Sequence, residues 1–191
     1  MLAMALGAVA QAEPSAEMEA VLKGVEGFAY DYDVMEDTFL LAPASQGQYV
    51  SGDASLVPAI KGLGEKGKED FLFMMLQVGS PEYTYSRISR ILFLVDGNRY
   101  EMEIASRVRQ SGTTQILLGY KGLDLMRVIV DSTDTVKVRL YYGTDQVDFD
   151  LSDAMKAGIG TVLAAYETLG GPDQRWSELS MADDYFTVRL Q

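Results

Sequence analysis

Apolar and polar positions change their period several times along this chain, and each change marks an element. From Gly27 to Leu41, Phe28, Tyr30, Tyr32 and Val34 alternate with Ala29, Asp31 and Asp33, and Thr38–Leu41 follows. A period of two belongs to a strand with one buried face, so two strands are predicted here, joined through Met35-Glu36-Asp37. Phe71 to Val78 and Ile88 to Val95 are longer apolar runs, the first closed by Gly79-Ser80-Pro81. Runs of this length bounded by turn residues suit buried strands. Asp96-Gly97-Asn98 then reads as a tight turn, because these residues tolerate positive φ. Arg99 to Ile104 returns from it with Tyr100, Met102 and Ile104 on one face and Glu101 and Glu103 on the other. Further strands are predicted at Thr114–Leu118, at Val136, Val138 and Leu140, through Val147, Phe149 and Leu151, and over Tyr185–Leu190.

A period of 3.6 appears in three places. Ser15 to Lys23 is a short helix with Ser15 as its cap, Glu17 and Glu19 at its positive end and Gly24 as its stop. Leu123, Met126 and Val130 define a second. The clearest runs from Ser152 to Leu169, where Met155, Ile159, Val162, Leu163, Tyr166 and Leu169 form one apolar stripe ended by Gly170-Gly171-Pro172. Between Pro43 and Lys68 five glycines and Pro58 interrupt the text, which predicts a long surface excursion.

The first dozen residues, Met1 to Ala12, are apolar and small up to Ala10-Gln11-Ala12, with Glu13-Pro14 following. Small residues at the two Ala positions are what a signal peptidase accepts, so residues 1–12 read as a leader or its remnant and the protein as secreted or periplasmic. No later stretch reaches the roughly 20 apolar residues that span a bilayer, so no transmembrane segment is expected. Residues 13–191 then form a single globular domain.

Composition narrows the chemistry. The chain has neither cysteine nor histidine, which removes Ser-His-Asp, Cys-His and zinc-histidine mechanisms together. Its net charge of −12 opposes nucleic-acid binding, which needs basic surface to replace condensed counterions. The charge is uneven: Arg87 to Arg139 carries about +3, and the flanks carry the remaining −15. Either the basic centre pairs with the protein's own acidic flanks, or it forms a patch for an anionic ligand. On the strand around Val138, Lys137, Arg139 and Tyr141 share the face opposite Val136 and Leu140, which makes them the candidate ligand-binding residues.

Other constellations are thinner. Asp31/Asp33 and Asp148/Asp150 are candidate carboxylate pairs, though a glycosidase needs its two carboxyls across a sugar-sized cleft. Tyr30, Tyr32, Tyr49, Tyr83, Tyr85, Tyr141 and Trp176 are candidate stacking platforms. Asp131, Asp134, Asp145 and Asp183/Asp184 supply oxygen ligands but match no calcium-loop spacing, so no metal and no cofactor is expected. Gly62 to Lys68 lacks the spacing of a phosphate loop and reads as a flexible loop.

The segments Ile91-Leu-Phe-Leu-Val-Asp-Gly-Asn-Arg-Tyr100, Val136-Lys-Val-Arg-Leu-Tyr-Tyr-Gly143 and Val147-Asp-Phe-Asp-Leu-Ser152, with the helix ending near Asp131, carry a family pattern. On them, residues 28 to about 169 resemble a group of uncharacterised secreted bacterial β-rich domains. The resemblance implies an antiparallel β-sandwich-like core with a C-terminal helix, and it transfers no functional residues. The expectation is therefore an α+β, mostly β domain with a short helix and a C-terminal amphipathic helix. It acts as a non-catalytic secreted or envelope-associated binding module, with an anionic glycan, an envelope polymer or another protein as partner. The alternatives are a carboxylate-based extracellular hydrolase acting on glycans or peptides, and an assembly subunit that pairs through an open sheet edge.

Overall fold

The computed structural model describes residues 16–33, 38–45, 47–63, 72–83, 88–104, 113–171 and 186–190. Helix α1 (Ala16–Lys23) leads into strands β1 (Phe28–Asp33) and β2 (Thr38–Pro43), a 3-10 turn at Gly47–Tyr49, β3 (Val50–Ser51), β4 (Ala54–Leu63) and β5 (Leu72–Gly79). After a second 3-10 turn at Pro81–Tyr83 come β6 (Arg90–Val95), β7 (Asn98–Ile104), β8 (Thr113–Leu117) and helix α2 (Tyr120–Asp131). Strands β9 (Lys137–Tyr142) and β10 (Asp145–Asp150), helix α3 (Asp153–Thr168) and β11 (Phe186–Leu190) complete the described elements.

The strands form two antiparallel sheets. The first has the order β1-β2-β4-β5-β8, with β3 added beside β4, and the second the order β10-β9-β6-β7-β11. One hydrophobic core draws on both sheets and all three helices. The protein is thus α+β and mostly β, with antiparallel sheets and an amphipathic helix near its C-terminal end. Helix α3 supplies the centre: it packs against β4, β5 and α2 and buries Met155, Ile159, Val162, Leu163 and Tyr166. Ser152 caps its start by accepting from the Met155 N–H at 3.2 Å. Its end is a Schellman turn, in which Gly170 at φ 70° donates to Glu167 and Gly171 donates to Tyr166.

The β6–β7 hairpin follows its alternation. Ile91, Phe93, Val95 and Met102 point inward, and Leu94 pairs with Arg99. The turn is two residues long rather than three, because Asn98 already pairs with Val95. Asp96 and Gly97 sit at φ 48° and 80°, the double positive φ of a type I′ turn. Helix α2 begins three residues earlier than its apolar spacing indicates. Gly119 sits at its N-cap without a side-chain hydrogen bond, so the sequence carries no start signal there.

The Pro43–Lys68 stretch is not a surface excursion. It holds β3 and the ten residues of β4, whose Leu56, Val57, Ala59 and Ile60 are buried. Burial on both faces erases the alternation that would have announced the strand. Pro58 and Gly62 add false punctuation, and each has a local reason. Along one side β4 pairs continuously with β5. Along the other it meets β3 at Ala54 and Ser55 and β2 from Ile60 onward, so Pro58 falls in the gap, where a missing N–H is tolerated. Gly62 pairs with Phe39, and a Cβ at Gly62 would fall inside the Phe39 ring. The glycine is the seat of that ring. Gly62 and Leu63 accordingly belong to β4 and not to a flexible loop, while residues 64–71 lie outside the described residues.

Candidate functional site

The outward side of the second sheet is set by the β9–β10 hairpin. Tyr142 pairs with Asp145 across Gly143 at φ 67° and Thr144, which fixes the register of every pair behind it. Val138, Leu140 and Tyr142 enter the core, so Lys137, Arg139 and Tyr141 share the opposite face, as period-two geometry requires. The three candidate residues are therefore neighbours, but they are not alike.

Arg139 lies directly across from Asp148 and grips it bidentately, Nε donating to Oδ1 and Nη2 to Oδ2, each at 2.6 Å. The guanidinium holds the Asp148 carboxyl below the usual carboxylate range, and Asp148 holds Arg139 firmly protonated. Beside them the Arg90 guanidinium lies 3.8 Å from the centre of the Tyr141 ring and reaches Glu101 at 3.4 Å. That is a cation–π platform braced by an acid. One row further along β6, Leu94 pairs with Lys137 on β9 and with Arg99 on β7. Lys137 and Arg99 are both exposed, and neither makes an ion pair among the described residues. Cations of two kinds result: Arg139 and Arg90 are partnered and fixed, whereas Lys137 and Arg99 flank an apolar stripe outside any ion pair among the described residues, Lys137 with Asp150 across from it on β10.

Sequence reasoning missed Arg90, Arg99 and the Arg139–Asp148 pair. The last was within reach, because a two-residue turn at Gly143-Thr144 dictates the pairing of 139 with 148. The pairing of β6 with β9, 40 or more residues apart in sequence, had no comparable signal.

The remaining candidates disperse. Asp31 and Asp33 are exposed on β1, an edge of the first sheet, and Asp148 and Asp150 on β10, an edge of the second. Tyr49 is not a stacking platform. It is 1% exposed, with its ring lying over Gly158 of α3. Tyr30 and Tyr32 pack against the core, and Tyr83 stacks on Tyr142 with centroids 4.5 Å apart. Asp131, Asp134 and Asp145 enter no group of three metal-ligating side chains among the described residues. Asp134 instead donates its backbone N–H to Asp96 Oδ1 at 3.0 Å. Residues 1–12, Tyr85, Trp176 and Asp183/Asp184 lie outside the described residues. No described helix is long and apolar enough to cross a membrane.

Compared with family models, with curated proteins and with solved structures, the chain matches none.

The Arg139–Asp148 pair carries a pH signature. An ordinary carboxyl titrates near pH 4, and Asp148 titrates lower when folded. The pair's contribution is therefore present above about pH 4 and lost as pH falls through the folded value. The Asp148 side chain is 55% exposed, so this contribution is small. Arg139→Ala is expected to return the Asp148 carboxyl to the ordinary range, readable by NMR titration of the side-chain carbon. An unchanged titration would mean that the pair does not persist in solution.

Proposed function

We propose that this protein is an exported, non-catalytic binding module whose outward second-sheet face takes an anionic glycan or envelope polymer. The observation that carries the reading is the row Lys137–Leu94–Arg99. In a chain of net charge −12, it presents two exposed cations, neither in an ion pair among the described residues, on either side of a partly exposed apolar side chain, with Asp150 beyond Lys137 at the β10 edge. The next two rows support it with Arg139 fixed by Asp148 and Arg90 laid on Tyr141. An acidic sugar offers the matching chemistry: carboxylates for the cations and the apolar face of its ring for Leu94 and Tyr141.

Nothing in the carboxylate geometry favours the hydrolase reading. A general acid must hold its proton near the working pH, and Arg139 drives Asp148 in the opposite direction.

The test is titration of the full chain with polygalacturonate, with uncharged dextran as control, at low and high salt. Binding to polygalacturonate alone is expected, and it should weaken with salt because exposed charges are screened over about 8 Å at physiological ionic strength. Lys137→Glu or Arg99→Glu should each weaken it about tenfold, equivalent to about 1.4 kcal/mol. Binding indifferent to both reversals would remove the proposal. Export is checked separately: the species recovered outside the cytoplasm should have the intact mass of a chain beginning at Glu13, and a full-length chain in that fraction would contradict it.

A further inference from the structure

Among the described residues the two sheets end in four strands, besides the two-residue β3 that pairs only with β4, and three of the four carry charge. Strand β1 bears Asp31 and Asp33, β10 bears Asp145, Asp148 and Asp150, and β11 includes Arg189. Charged side chains at an edge are the usual guard against pairing with another chain. The fourth edge, β8, reads Thr113-Thr-Gln-Ile-Leu117, with no charge and no proline. It pairs with β5 on one side and has no strand on the other among the described residues. Leu117, at its end, is 39% exposed.

We propose that β8 is a self-association edge, at which two copies of this chain pair antiparallel about a two-fold axis through Gln115. Three features favour a second copy as the occupant. The five-residue strand is self-complementary about its centre: position 113 meets 117, Thr114 meets Ile116, and an antiparallel pairing keeps the alternation of faces in register. Gln77 on β5 pairs with Gln115, so the two-fold lines up Gln77, Gln115, Gln115 and Gln77 of the two copies in one row of amides, a ladder that stabilises stacked strands. Charge also selects this edge. Two copies of net charge −12 repel, and β8 is the edge of its sheet furthest from Asp31 and Asp33. Along the joined path of ten strands the two β1 strands stand nine spacings apart, about 43 Å, far beyond the screening length of about 8 Å at physiological salt.

The experiment is sedimentation equilibrium of the full chain over a wide concentration range, with Gln115→Lys and Gln115→Glu alone and mixed. Gln115 is exposed, so both variants should fold, and unchanged circular dichroism checks it. Wild type should reach dimer mass. Each variant alone places like charges opposite one another and should associate several-fold more weakly, and the equimolar mixture should regain the dimer. Amide exchange across residues 113–117 of the wild type should slow as concentration rises. A wild type that stays monomeric, a dimer indifferent to both substitutions, or exchange independent of concentration would each overturn the proposal.

Discussion

Tyr49→Ala is expected to cost about 3–5 kcal/mol of unfolding free energy, the range for deleting a large buried ring. The ring is 1% exposed and rests on α3 where Gly158 leaves no side chain in its way. Helix and 3-10 turn are fitted to each other at this one point, and the fit makes a second forecast. Gly158→Ala drives a Cβ into the ring, so alone it should destabilise by about 1–3 kcal/mol as an overpacked site. In the Tyr49→Ala background the same methyl enters the space the ring vacated, and its cost should shrink or change sign. A double-mutant cycle by denaturant unfolding measures the coupling. Strictly additive effects would show that Tyr49 does not sit on Gly158.

The second large effect is expected at high pH. Tyr142 is 4% exposed and lies under Tyr83, with its hydroxyl near the Ser80 backbone but without a well-formed hydrogen bond. Burial pushes its phenol up to about 12, whereas an unfolded tyrosine ionises near pH 10. Between those values the unfolded chain has lost a proton that the folded chain keeps. Stability is therefore full below about pH 10 and falls by about 2 kcal/mol as pH rises to 12. Tyr142→Phe should remove most of that slope. At neutral pH the substitution should be nearly neutral or stabilising, because it deletes a buried hydroxyl that lacks a partner. Denaturant unfolding at several pH values, compared between the two proteins, reads both. Equal alkaline slopes would place the phenol in solvent.

How much of this was legible follows from where burial falls. The β6–β7 hairpin and α3 announce themselves because each buries one face only, leaving a period of two or of 3.6 with chemistry at its ends: Asp96-Gly97 for the turn, Ser152 and Gly170 for the caps. Strand β4 buries both faces, so no period survives, and Pro58 and Gly62 are tolerated by a gap in the ladder and by the Phe39 ring, which only the folded sheet contains. The site divides the same way. That Lys137, Arg139 and Tyr141 share a face is local geometry and was readable. That Arg139 is occupied by Asp148, and that Arg99 joins Lys137 across Leu94, depends on strand register. Register between β6 and β9 is decided by the core and leaves no mark on either strand.

Tyr166 in α3 donates its hydroxyl to the backbone oxygen of Leu72 in β5, 94 residues earlier, and α3 lies against β4 and β5. Strands β4 and β5 therefore leave synthesis well before the helix that covers them. Until α3 is made, β4 and β5 lack the helix that packs on them, and the core they share with it stays open. Closure of this part of the core therefore needs a helix that follows both strands by a long stretch of sequence. A polypeptide built on that schedule leaves these two strands without their helix until a segment far downstream of them has been made.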